Sequence, residues 1–148
     1  DVAPSRGLGD VYKRQDMEGG QTNEFRPLIL VAEDDDSNFK LIKAIIGKKC
    51  DIQWAKNGEE IVALFKEYGN EAKAILMDIK MPVMNGLDAT KIIRGENKEI
   101  PIIMQTAYAF SSDKENAMNA GASEVLVKPI TLSILRNTLT KYFPELVW

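Results

Sequence analysis

The chain has 148 residues, room for one domain with a sizeable core. With a net charge of −3 it lacks the basic surface that nucleic-acid binding asks for, and no apolar run approaches the roughly 20 residues of a membrane span. The absence of histidine excludes a Ser-His-Asp triad, a His-ligated metal and an internal phosphohistidine, while the single Cys50 can form no internal disulfide and fits a reducing compartment.

Residues 1–26 carry four glycines and scattered charge with no sustained apolar period. They read as a disordered or adapter-derived lead, since Asp10-Val11-Tyr12-Lys13-Arg14-Gln15 resembles translated sequencing-adapter sequence. Leu28–Ala32 is a continuous apolar run, the pattern of a strand buried on both faces. It ends in Glu33-Asp34-Asp35-Asp36, where Asp36 reads as the cap of a helix with Leu41, Ile42, Ile45 and Ile46 inward. Asp51–Ala55 is a short second strand. Asn57 and Glu60 resemble a capping box, and Ile61, Leu64, Phe65 and Tyr68 then recur at helical spacing. Ala74–Met77 is a third strand, followed by Asp78 and a Pro-containing loop. Asn85 can cap a third helix that carries Leu87, Ile92 and Ile93. Ile100–Met104 is the fourth strand, and Ser112-Asp113-Lys114-Glu115 is a capping box opening a weakly apolar fourth helix. Val125–Val127 is the fifth strand, and Thr131 caps a last helix with Leu132, Leu135 and Leu139 inward.

The order is (βα)5, an α/β domain over 27–144 with a short tail at 145–148. Right-handed crossovers between apolar strands give a doubly wound parallel sheet with helices on both faces.

Polar residues then fall at the strand ends: Glu33 and Asp34 after the first, Asp78 after the third, Thr106 after the fourth, Lys128 after the fifth. In a parallel sheet these carboxyl ends share one edge, where open α/β sheets bind ligands. Three carboxylates together repel unless a cation sits among them, and hard oxygen ligands suit Mg²⁺. A lysine ammonium and a threonine hydroxyl offer charge and hydrogen bonds to phosphoryl oxygens. The set reads as a carboxylate nucleophile, a metal and two phosphoryl-binding groups. Taken singly, each residue has a plainer role: Asn85 as a helix cap, Met77, Met81, Met84 and Met104 as core or loop filler, Thr106 as an ordinary strand end, Lys128 as a solvated charge.

The pieces Ile29-Leu30-Val31-Ala32-Glu33-Asp34, Met77-Asp78-Ile79-Lys80-Met81-Pro82-Val83-Met84-Asn85-Gly86, Pro101 to Ala107 and Lys128-Pro129 resemble those of response regulator receiver domains, over about Pro27 to Pro144. The resemblance implies the flavodoxin-like, CheY-like receiver fold and a role in two-component phosphorelay signalling in the cytoplasm. It implies that Asp78 is the phosphoacceptor, that Mg²⁺ is held by Glu33, Asp34, Asp78 and the backbone carbonyl of Lys80, and that Thr106 and Lys128 bind the phosphoryl group. It also implies a cis Lys128-Pro129 bond. The implied partners are a histidine kinase or histidine phosphotransfer protein, and an output domain or protein reached through the fourth helix, fifth strand and fifth helix. A phosphorylation-dependent homodimer is consistent with it; direct contact with nucleic acid or membrane is not expected. The chain would be a stand-alone receiver or the receiver module of a hybrid sensor histidine kinase, a signalling domain rather than an enzyme.

One departure is visible: the family usually places Tyr or Phe three residues before the lysine, where this chain has Val125, and Tyr108 is the candidate substitute. Two rival functions remain. An aspartyl-phosphate phosphatase would carry a second Asp two residues after the nucleophile, where this chain has Lys80. A pseudo-receiver would bind a partner without phosphorylation, but would not need the full set of five.

Overall fold

A computed structural model describes residues 25–108 and 112–148. The expectation of disorder for the lead falls largely on residues 1–24, outside the described residues. Five strands alternate with five helices: β1 Leu28–Ala32, α1 Asp36–Ile46, β2 Asp51–Ala55, α2 Gly58–Tyr68, β3 Ala72–Asp78, α3 Gly86–Glu96, β4 Ile102–Thr106, α4 Ser112–Ala120, β5 Glu124–Val127 and α5 Leu132–Tyr142. The strands pair in the order β2-β1-β3-β4-β5, all parallel.

The central strands divide their side chains between two cores, as a period of two requires. Leu30, Ala32, Ile75, Met77, Ile102 and Met104 point to the side packed by α2 and α3. Ile29, Val31, Ala74, Leu76 and Ile103 point to the side packed by α1 and α5. Both faces are therefore covered, which is why the strands read as unbroken apolar runs rather than alternating ones.

The helices start where short polar side chains can accept from their first N–H groups. Asn57 accepts from Glu60 N–H, Asn85 from Asp88 N–H and Thr131 from Ile134 N–H. At α1 the cap is Asp35, not Asp36, and it accepts from the N–H groups of Ser37 and Asn38. Asp36 is instead the first helical residue and pairs with Lys56 at 3.3 Å. Ser112, expected as the cap of α4, is its first helical residue.

Two apolar positions expected inward, Leu41 and Leu132, are exposed. A helix laid on a sheet buries only a stripe, and Phe39 and Thr138 join that stripe instead. Packing also reaches past residues 27 and 144. Arg26 Nε donates to Asp51 at 3.0 Å and Arg26 Nη1 to the carbonyl of Lys48 at 2.6 Å, closing the C-terminal end of α1. Leu146 is buried against the α1–α5 side, and the Trp148 indole donates to Thr140.

Candidate functional site

The parallel sheet brings the carboxyl ends of β1, β3, β4 and β5 to one edge. Asp78 is the last residue of β3 and is opposite Gln105 on β4, while Thr106 is opposite Val127, one residue before Lys128. Glu33 follows β1 directly. Its N–H donates to the carbonyl of Ala55 at 2.9 Å, so β2 continues to hold the chain one step past the last paired residues.

Lys128 closes the site from the far side. The peptide bond after it, Lys128-Pro129, is cis, as expected. The lysine Nζ donates to Asp78 Oδ2 at 3.0 Å and lies 3.9 Å from Glu33 Oε1. Burial disfavours its ammonium, but the hydrogen bond to Asp78 and the charges of Asp78, Glu33 and Asp34 outweigh that and raise its pKa above the ordinary lysine range.

Glu33 is fully buried. One carboxylate oxygen accepts from Asp35 N–H at 3.2 Å. The other, Oε1, has no hydrogen-bond partner among the described residues. Burial first, then the nearby Asp78 charge, push its pKa up to about 7, against the pull of Lys128 and the Asp35 N–H. A buried carboxylate with an orphaned oxygen is costly unless something else satisfies it.

Glu33, Asp34 and Asp78 each offer one oxygen, and these oxygens lie within 4.8 Å of one another. An all-oxygen donor set with an orphaned buried member suits a small hard dication, and Mg²⁺ fits it. Lys80 is exposed and lines the same small cleft of about 170 Å³ as Asp78, Thr106, Ala107 and Lys128.

Thr106 lies at this edge, but its hydroxyl is engaged elsewhere. It donates to Asp113 Oδ2 on α4 at 3.3 Å and accepts from Tyr108 N–H at 3.1 Å. Lys80 and Tyr108 meet over the cleft, with the ammonium 5.2 Å from the ring centroid. Val125 is half-buried against the α2–α3 core, and Tyr108 is exposed.

The loop after Asp78 is tightly drawn. Gly86 N–H donates to the carbonyl of Ile79 at 2.8 Å, and a Cβ at Gly86 would stand 2.2 Å from the Asp78 carbonyl oxygen. Gly58 N–H donates to the carbonyl of Met84 at 2.8 Å, tying the loop to the start of α2. Between them Val83 sits at φ 70°, a left-handed conformation unusual for a β-branched residue.

Two participants carried no sequence signal of their own. Asp113 holds the Thr106 hydroxyl across seven residues of chain. Trp54, on the edge strand, donates its indole N–H to the Glu33 carbonyl at 2.8 Å.

The family model for the response regulator receiver domain matches residues 29–140. A hybrid signal transduction histidine kinase of Dictyostelium discoideum is 38% identical over 129 residues, covering 79% of this chain and 7% of that protein. The chain thus spans a small fraction of the curated relatives it matches. Among solved structures, the receiver domain of a Pseudomonas aeruginosa sensor histidine kinase, with magnesium coordinated in its active-site cleft, superposes with a TM-score of 0.74 at 30% identity, covering 81% of this chain and 99% of that one. The receiver of the Saccharomyces cerevisiae regulator Ssk1, solved with the phosphotransfer protein Ypd1, gives 0.74 at 28% identity, covering 82% and 93%.

Proposed function

The chain belongs to the response regulator receiver family, a signalling domain of two-component phosphorelays, and from that membership we propose that Asp78 is its phosphoacceptor. One observation carries the reading. Asp78 shares a pocket with two further carboxylates and with a lysine 3.0 Å away, and one buried oxygen there is still unsatisfied.

In this reading a partner presents a phosphohistidine at the cleft. An Asp78 carboxylate oxygen forms the new P–O bond as the P–N bond to the partner's imidazole breaks, and the electron pair of that bond leaves with the imidazole. Glu33, Asp34, Asp78 and the Lys80 carbonyl would hold Mg²⁺, which supplies positive charge to the phosphoryl oxygens when bound. Lys128 already faces Asp78 and would follow the negative charge onto the phosphoryl group. Thr106 would exchange Asp113 for a phosphoryl oxygen. That exchange frees the first turn of α4, a helix that buries only Ala117 and Ala120 and is weakly held. The face of α4, β5 and α5 would be the readout, shifted by the difference in phosphoryl contacts between its two arrangements.

A histidine kinase or phosphotransfer protein is the donor this chemistry requires, supported by the absence of histidine in this chain and by the phosphotransfer partner in the Ssk1 complex. A cytoplasmic location goes with such a donor. No helix among the described residues is long and apolar enough to cross a membrane. The domain would act as a signalling module within 27–144, not as an enzyme on external substrate.

The test is intact mass after incubation with acetyl phosphate, with and without Mg²⁺, for the wild type and Asp78→Asn. A Mg²⁺-dependent, alkali-labile adduct of one phosphoryl group, absent from the variant, is expected. An adduct that persists in Asp78→Asn would overturn the assignment.

A further inference from the structure

We propose that Trp54 is a positioning residue for the metal ligands, acting through its indole N–H on the peptide that joins Glu33 to Asp34. The inference rests on the reading of Glu33, Asp34 and Asp78 as the Mg²⁺ ligands.

The Glu33 carbonyl belongs to the peptide unit that links the two ligand residues, so whatever fixes that plane places the Cα atoms from which both side chains leave. Trp54 Nε1 donates to that carbonyl at 2.8 Å. Together with the Glu33 N–H bond to Ala55, this satisfies both main-chain groups of Glu33 from β2. The ladder between β1 and β2 ends at Ala32 and Ala55, so the indole extends side-chain control one peptide further.

The indole is itself held in place. Its ring stacks on Phe39 of α1 with centroids 3.9 Å apart and planes 2° from parallel. Lys56 lies 4.8 Å from the ring and pairs with Asp36 at 3.3 Å. One side chain therefore joins the edge strand, the end of β1 and the first turn of α1, which enclose residues 33–36. The clustered carboxylates of Glu33, Asp34 and Asp78 repel one another, and a fixed donor on the Glu33–Asp34 peptide resists displacement of the first two. Phenylalanine would fill the stack without supplying the donor.

Calorimetric Mg²⁺ titration of the full chain tests this with two variants. Trp54→Phe removes the donor and keeps the aromatic surface. Ile93→Val lowers stability from the opposite core and leaves the indole and its stack untouched. The expected result is a Kd weakened about tenfold in Trp54→Phe, the size seen when an outer partner of a metal ligand is lost. Ile93→Val should change it by less than about twofold, although its urea midpoint falls by as much or more. Equal affinity in Trp54→Phe and wild type overturns the proposal. So does a loss of affinity that simply follows stability in both variants, which is what a structural role predicts. If the wild type binds no Mg²⁺, the metal reading itself fails and this inference falls with it, an outcome distinct from the other two. Should Trp54→Phe not fold, the indole N–H proton resonance of Trp54 in the wild type replaces it. That resonance should shift with the calorimetric Kd, and one that stays still on saturation overturns the proposal.

Discussion

Replacing Glu33 with Gln should stabilise the metal-free protein, by an amount that grows with pH. The folded-state pKa of Glu33 lies at about 7, above its ordinary 4.5, because burial and the Asp78 charge penalise the carboxylate. A raised pKa means the folded state holds this proton more tightly than the unfolded chain does. The stability that comes from it is complete below pH 4.5 and is lost as pH rises through 7. Between 4.5 and about 7, at about 1.36 kcal/mol per pH unit, the full loss is about 3 kcal/mol. Glutamine carries no such charge, so the advantage of Glu33→Gln should be near zero at pH 4.5 and approach about 3 kcal/mol above pH 8. With a urea m-value of roughly 1.5–2 kcal/mol/M, the midpoint would move by about 1.5–2 M. Urea titrations with EDTA across this pH range measure it directly. Mg²⁺ at a hundred times its Kd should nearly cancel the difference, since it adds about 2.7 kcal/mol to the form that binds it, and at a thousand times Kd, where it adds about 4.1 kcal/mol, it should reverse the ranking. A difference that is flat with pH, or a variant less stable than wild type at pH 8 without metal, would refute the view of Glu33 as a strained and unsatisfied acid.

Other expectations follow from single residues. Val83 is 73% exposed, so glycine there loses little packing while relieving the left-handed strain; Val83→Gly should raise the urea stability by about 1 kcal/mol. Gly86→Ala should cost about 2–3 kcal/mol and slow acetyl-phosphate labelling, because the new methyl meets the Asp78 carbonyl and must displace the main chain that carries the proposed phosphoacceptor. Native Cys50 should resist iodoacetamide at pH 8 on the timescale of global unfolding, since burial pushes its thiol from 9.0 up to about 12 despite Arg26. Because that shift is upward, folding loses stability as pH climbs past 9.0; prompt labelling of the folded protein would contradict the burial.

How far these residues could be read from sequence depended on whether the cause was local. The runs at Leu28–Ala32 and Asp51–Ala55 gave strands with the expected bounds, and Asn57, Asn85 and Thr131 cap the helices they precede. The convergence of Glu33, Asp34, Asp78 and Lys128 required parallel strands, which put their ends on one edge, and adjacency of β1 and β3, which the spatial order β2-β1-β3-β4-β5 supplies. The cap of α1 went to Asp35 rather than Asp36, because four consecutive acids have similar cap chemistry and only the turn geometry ranks them. Leu41 and Leu132 were misplaced because periodicity gives a stripe but not its width. The contacts from Trp54 to Glu33 and from Thr106 to Asp113 join separate elements, and no spacing rule announces them.

The division of the site along the chain has a consequence during synthesis. All three carboxylates lie within residues 33–78, on the loop that follows β1 and at the end of β3, whereas the threonine and the lysine arrive at 106 and 128. A nascent chain that has released only its first three strands carries the acids without the cation that answers them. The last strand thus delivers Lys128 to an edge already crowded with negative charge, and its arrival both completes the sheet and discharges that repulsion. A fragment ending at α3 should for this reason lean harder on divalent cations than the whole domain does.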